Sequence, residues 1–178
     1  MADAVALLEG EVRELVRQRG LDPQAAPSAV REIVDSVVAD YGERALGGSV
    51  PVLVDRDAAA RCVLDAVTGF GPLQPYLDDR SVEEIWINEP GRVFVARAGR
   101  SELTPTVLAP GAVEELVERM LMSTGRRVDV SSPFVDSALP DGSRLHVVIP
   151  DVTRRHWAVK TDQRKSTPQS SIALQNRH

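Results

Sequence analysis

Residues 125–150 read GRRVDVSSPFVDSALPDGSRLHVVIP. Two β-prone runs, Phe134 to Leu139 and Ser143 to Ile149, flank Pro140-Asp141-Gly142. Asp-Gly between such runs is a tight-turn signal, so the stretch predicts an antiparallel hairpin. Arg126, Arg127 and Arg144 bracket it, in a chain whose formal net charge is −5. The purpose of those guanidinium groups is the functional question that the sequence poses.

A hairpin alone cannot bury a core, so its neighbours matter. Just upstream, Val113, Leu116, Val117, Met120 and Leu121 form an apolar stripe over Pro110 to Met122. Glu114, Glu115, Glu118 and Arg119 are expected on the solvent face of that helix. Further back, Glu84 to Asn88, Arg92 to Arg97 and Ser101 to Thr104 read as three short strands separated by turns. The spacing predicts a capping box at Ser81 to Glu84, with one helical turn there. GFGPLQPYLDD, from Gly69, reads as a compact irregular hinge. Meander, helix and hairpin together predict an α+β domain, one antiparallel sheet with a packed amphipathic helix.

The first part of the chain reads as helices. Val5, Leu8, Val12, Leu15 and Val16 form one stripe, ended by Gly20. Val30, Ile33, Val34, Val37, Val38 and Tyr41 form a second, expected to start after Pro27 with Ser28 as its cap. A third covers about Asp55 to Val67. The expected organisation is a helical lead-in over 1–66, an α+β domain over 67–159, and a polar, disordered tail over 160–178.

Composition sets limits on function. The chain has 178 residues, 43% hydrophobic, 26% charged and 4% aromatic, which is a globular composition with an aliphatic core. A net negative charge argues against coating nucleic acid. The basic group Arg154, Arg155, Lys160, Arg164 and Lys165 could form only a local patch, with few stacking aromatics beyond Trp157. Cys62 is the single cysteine and is expected to be a small buried hydrophobe on a helix. One thiol cannot form an internal disulfide, which suits a reducing cytoplasm. The N-terminus has no signal-peptide pattern, and no apolar run reaches the ~20 residues that span a bilayer.

No G-x-x-x-x-G-K-[ST] loop, H-E-x-x-H motif or Cys/His cluster occurs. Asp129, Ser131, Ser132, Asp136 and His146 could be assembled into a nucleophile–base set, but their spacing does not support one, and His146 reads as a strand residue. The arginines have two readings. Arg126 and Arg127 suit the negative end of a helix, and Arg144 suits a solvated hairpin position paired with Asp129 or Asp136. Alternatively, such planar, permanently charged forks serve a phosphoryl group supplied by another domain or chain.

GFGPLQPYLDDRSVEEIWINEPGRVFVARAGRSEL and GRRVDVSSPFVDSALPDGSRLHVVIPDVTRRHWAV resemble the N-terminal region of the type II/IV secretion ATPases, most closely the tight-adherence (Flp-type) pilus branch. The resemblance covers residues 67–159. It implies a PAS-like N-domain of a hexameric cytoplasmic motor, peripheral at the inner membrane and docked to pilus or secretion platform proteins. It implies ATP and Mg²⁺ held together with a RecA-like domain, and phosphate contacts from Arg144, Arg127 and Arg126. The helices before Gly69 would be a mobile lead-in. In the family a strand with a basic residue runs on from the equivalent of Trp157-Ala158-Val159 towards the P-loop, and here Lys160-Thr161-Asp162-Gln163 departs from it. The expectation is a product cut short before the P-loop, with no hydrolysis by this chain alone. The competing reading is a non-enzymatic docking module.

Overall fold

A computed structural model describes residues 2–89, 91–109, 111–150 and 156–163. Three helices come first: α1 (Ala2–Gln18), α2 (Pro27–Leu46) and α3 (Arg56–Thr68). Their stripes meet in one core in which Leu8, Val12, Val30, Tyr41 and Val63 are fully buried. The predicted Ser28 cap is absent: α2 begins at Pro27, after Ala26, with no side-chain cap. Proline suits that place because the first helical N–H has no intrahelical acceptor to lose. Asp55 does cap α3, accepting the Ala58 N–H at 2.8 Å. Cys62 is exposed on α3, contrary to the buried site expected. The helix turns Ala59, Val63 and Val67 inward instead.

Asp65 on α3 has its carboxyl pushed above the usual range, first by burial and then by the charge of Asp78. A raised acid pKa means that ionisation weakens the fold at neutral pH and costs nothing once the group is protonated in both states. Asp65→Asn is therefore expected to melt higher than the parent at pH 7, with the gap closing below the ordinary carboxylate range. Thermal melts at several pH values check this. Equal melting at pH 7 would contradict it.

The hinge is more regular than the sequence suggests. Gly71–Leu73 form a 3-10 turn and Gln74–Asp78 a short helix, α4. The helical turn thus lies before Ser81, and the predicted capping box does not form. Asp79 Oδ1 instead accepts from Ser81 N at 2.9 Å and Ser81 Oγ at 2.7 Å, and the chain enters β1 (Val82–Glu89). Strands β2 (Arg92–Arg97) and β3 (Arg100–Leu103) complete the meander. Helix α5 (Ala112–Met122), strands β4 (Phe134–Ala138) and β5 (Arg144–Val148), and a sixth strand, β6 (Ala158–Asp162), follow.

That sixth strand is the main correction to the sequence reading. Residues 160–162, expected to begin a polar tail, belong to the middle of the sheet, whose order is β3-β2-β1-β6-β5-β4. β6 pairs antiparallel with β1 on one side and β5 on the other, joining meander to hairpin. Alternation explains it: Val159 and Thr161 are buried, while Lys160 and Asp162 point to the opposite face. Thr161 Oγ1 donates to Ile85 O at 3.4 Å. Gln163 then donates from its backbone to Glu83 O and from Nε2 to Tyr76 O at 2.7 Å. The rest of the expected tail, 164–178, lies outside the described residues.

The α+β class holds. Val113, Leu116, Val117 and Met120 of α5 pack with Ile85, Ile87, Val93, Val95, Leu145, Val147 and Val159 in the second core. Arg119 leaves the solvent face on which the sequence placed it and is half-buried. Among the described residues, no helix is long and apolar enough to cross a membrane.

Candidate functional site

α5 ends where Gly125 adopts φ +68°, a left-handed conformation that glycine allows without a Cβ clash. The Arg126 N–H then returns to Leu121 O. Arg126 and Arg127 follow, exposed, and line one depression of about 330 Å³ with Glu114, Glu118, Met122 and Trp157. They sit beyond the helix C-terminus, as the dipole reading requires. Among the described residues, neither side chain has a hydrogen bond or ion pair.

Arg144 is placed differently. The turn before it is built by Asp141, whose carboxylate accepts from Ser143 N and Oγ, both at 2.9 Å, with Gly142 at φ +86°. Arg144 opens β5 opposite Ala138 on one side and Asp162 on the other. Leu145 and Val147 enter the core, so Arg144, His146 and Val148 share the outer sheet face. Arg144 lines a second depression, about 340 Å³, with Asp136, Ser137, Ala138 and His146. Trp157, beside the Arg126–Arg127 pair, adjoins Ala158, whose partner Val148 lies four residues along β5 from Arg144. Four strand steps are on the order of 14 Å. The fold therefore brings Arg126 and Arg127 together and puts Arg144 on another face.

The aspartates offered by the sequence as partners are engaged elsewhere. Asp129 Oδ1 accepts from the backbone N–H of Ser131 and Ser132, at 2.8 and 2.9 Å. Asp136 Oδ1 lies 2.5 Å from His146 Nδ1. Arg144 itself is exposed and has no side-chain bond or ion pair among the described residues. The Ser131–Ser132 turn is taken up with Asp129, and His146 faces carboxylates rather than a serine. Asp129, Ser131, Ser132, Asp136 and His146 therefore form no nucleophile–base pair among the described residues.

Sequence reasoning did not foresee the polar row on the outer face. His146 Nε2 lies 3.3 Å from Asp162 Oδ2, and Lys160 Nζ lies 2.9 Å from Asp162 Oδ1 and 3.3 Å from Glu84 Oε1. The Asp162 carboxylate, then Glu84, holds the Lys160 ammonium above its ordinary range. Beyond it, Trp86 stacks on Phe94 with ring centroids 5.7 Å apart. Knowing that β6 sits between β1 and β5 is what reveals the row. Lys160 is the only described member of the basic group that also contains Arg154, Arg155, Arg164 and Lys165, and it is ion-paired. Among the described residues, no group of three or more His, Cys, Asp or Glu is placed to hold a metal ion.

No protein-family model matches the chain. Protein VirB11 of Agrobacterium fabrum is 32% identical over 103 residues, which is 57% of this chain and 29% of that protein. The type IV secretion system protein VirB11 of Brucella suis is 30% identical over 117 residues, 64% of this chain and 31% of that protein. Among solved structures, the VirB11 ATPase of the Brucella suis type IV secretion system, in complex with sulphate, matches with a TM-score of 0.51 and 27% identity. That match covers 56% of this chain and 31% of the other. The chain thus spans 29–31% of the length of the VirB11 proteins it matches. The similarity supports a type II/IV secretion ATPase N-terminal region over that shared part.

Proposed function

We propose that this chain acts as the nucleotide-interface and oligomerisation domain of a type II/IV secretion ATPase. The observation that carries the reading is Arg144: an exposed guanidinium on a rigid strand, with Asp129, Asp136 and Asp141 all engaged elsewhere. A fixed fork of donors without a carboxylate partner suits a phosphate. Asp136 lines the same depression, and Asp162 is the register partner of Arg144 on β6. In this reading ATP and Mg²⁺ are held chiefly by a RecA-like domain, which supplies the P-loop that residues 1–178 lack. Arg144 adds charge to the phosphates across the domain interface, where such charge assists phosphoryl transfer. Arg126 and Arg127, on a separate surface, meet the phosphate side of a different ring neighbour. The ring is hexameric, at the cytoplasmic side of the inner membrane, and the tight-adherence pilus branch is the placement that the resemblance favours.

A second reading is docking without nucleotide. The exposed apolar residues Leu46, at the end of α2, and Val52 and Val54, between α2 and α3, favour it, because they suit a protein contact with a secretion or pilus platform. An ATPase assay separates the two. The chain should be inactive alone and should accelerate hydrolysis by a separately expressed RecA-like domain. No acceleration would leave the docking reading.

A further inference from the structure

The last carbonyls of any helix lack intrahelical partners. At the end of α3 they are met by side chains from three other parts of the chain. Gln24, between α1 and α2, donates from Nε2 to Thr68 O at 2.7 Å. Arg13 of α1 donates from Nη2 to Ala66 O at 2.9 Å. Arg119 of α5 donates from Nη1 to the same oxygen at 2.6 Å, and to Gly69 O at 3.4 Å. Donors from the helical unit and from the helix under the sheet thus converge on one helix end, where the dipole favours cations.

The surroundings are adapted to two guanidinium groups side by side. Arg119 is held below the usual arginine range, first by burial and then by the charge of Arg13. Glu9 bonds Arg13 Nε at 2.9 Å, and Glu115 and Glu118 line the same groove. The connection itself is tight. Only Gly69 and Phe70 separate α3 from the 3-10 turn. A Cβ on Gly69 would lie 2.6 Å from Gln74 Oε1 and 3.1 Å from Asp65 O. Gln74 Oε1 also accepts the Phe70 N–H at 3.0 Å.

We propose that Arg119 clamps the end of α3, whose other carbonyls Arg13 and Gln24 meet from within the helical unit, so that the three-helix unit and the sheet hold one fixed angle. The helices then form a rigid arm that turns with the sheet, in place of the mobile lead-in expected from the sequence. This does not depend on the nucleotide reading.

Cys62, single and exposed on α3, gives a native labelling site. A Ser101→Cys change on exposed β3 gives the second. Pulsed dipolar spectroscopy on the doubly spin-labelled full chain should give one narrow distance distribution. Arg119→Ala should broaden it about twofold, because units without a firm interface move relative to one another. Arg119→Lys, which keeps the charge but loses the fork, should fall between. A distribution as narrow as the parent's in folded Arg119→Ala would overturn the proposal. If circular dichroism shows that variant unfolded, Arg119→Gln, which keeps most of the side-chain length but loses the guanidinium that reaches Ala66 O, is read instead. Broadening supports the clamp and an unchanged width overturns it.

Discussion

Val159→Asp is expected to abolish the folded sheet. Val159 is 3% exposed, on the strand that pairs with both β1 and β5, and packs in the same core as Ile87, Leu145 and Val147. An unpaired carboxylate there has no cation within the core and costs several kcal/mol, about 3–5 by analogy with a buried ion stripped of its partner. That is a large share of the roughly 5–15 kcal/mol that holds a domain of ordinary size together. The adjacent residue gives an internal contrast. Lys160 lies on the opposite face in partly exposed ion pairs with Glu84 and Asp162, so Lys160→Ala should cost about 0–1 kcal/mol. Urea titration followed by circular dichroism measures both. A Val159→Asp protein with the parent's midpoint would mean that β6 is not part of the core sheet.

Arg144→Ala should separate binding from stability. Its side chain is exposed and makes no contact among the described residues that the fold needs, so the stability change should stay within about 0.5 kcal/mol. A hydrogen bond to a charged group contributes about 1.5–3 kcal/mol, which is roughly a ten- to hundredfold change in affinity. The loss should therefore appear in nucleotide binding at an assembled interface while the melting curve barely moves. A large drop in stability would instead mark Arg144 as a structural hairpin residue. The Arg126→Ala and Arg127→Ala variants should give weaker effects, since those residues line a different depression.

Much of this architecture could be read from residues. The stripes of α1, α2 and α5 and the turn at Asp141-Gly142 are strong local signals, and the α+β class follows from their order. β6 was missed because Lys160-Thr161-Asp162 looks polar when read singly. Its alternation makes sense only beside β1 and β5, where Glu84 and Asp162 flank the ammonium. Ser81 misled for a related reason: its capping pattern is local, and the sheet pairing of Val82 with Arg97 overrode it. At the candidate site, the nature of the three arginines was legible, but not their separation. Sequence proximity of Arg126, Arg127 and Arg144 suggested one cluster. The strand between Arg144 and Val148, and the side of the sheet that each residue occupies, pull them apart. Arg119 was read as a solvent residue because its partners, the backbone carbonyls of α3, leave no mark in the sequence.

The most direct test of the central claim is calorimetric titration of a non-hydrolysable ATP analogue into this chain alone, into a separately expressed RecA-like domain, and into their mixture. The account predicts no binding by the chain alone, tighter binding by the mixture than by the RecA-like domain, and loss of that gain with Arg144→Ala. A mixture that binds no more tightly than the RecA-like domain, or a gain untouched by Arg144→Ala, would contradict it.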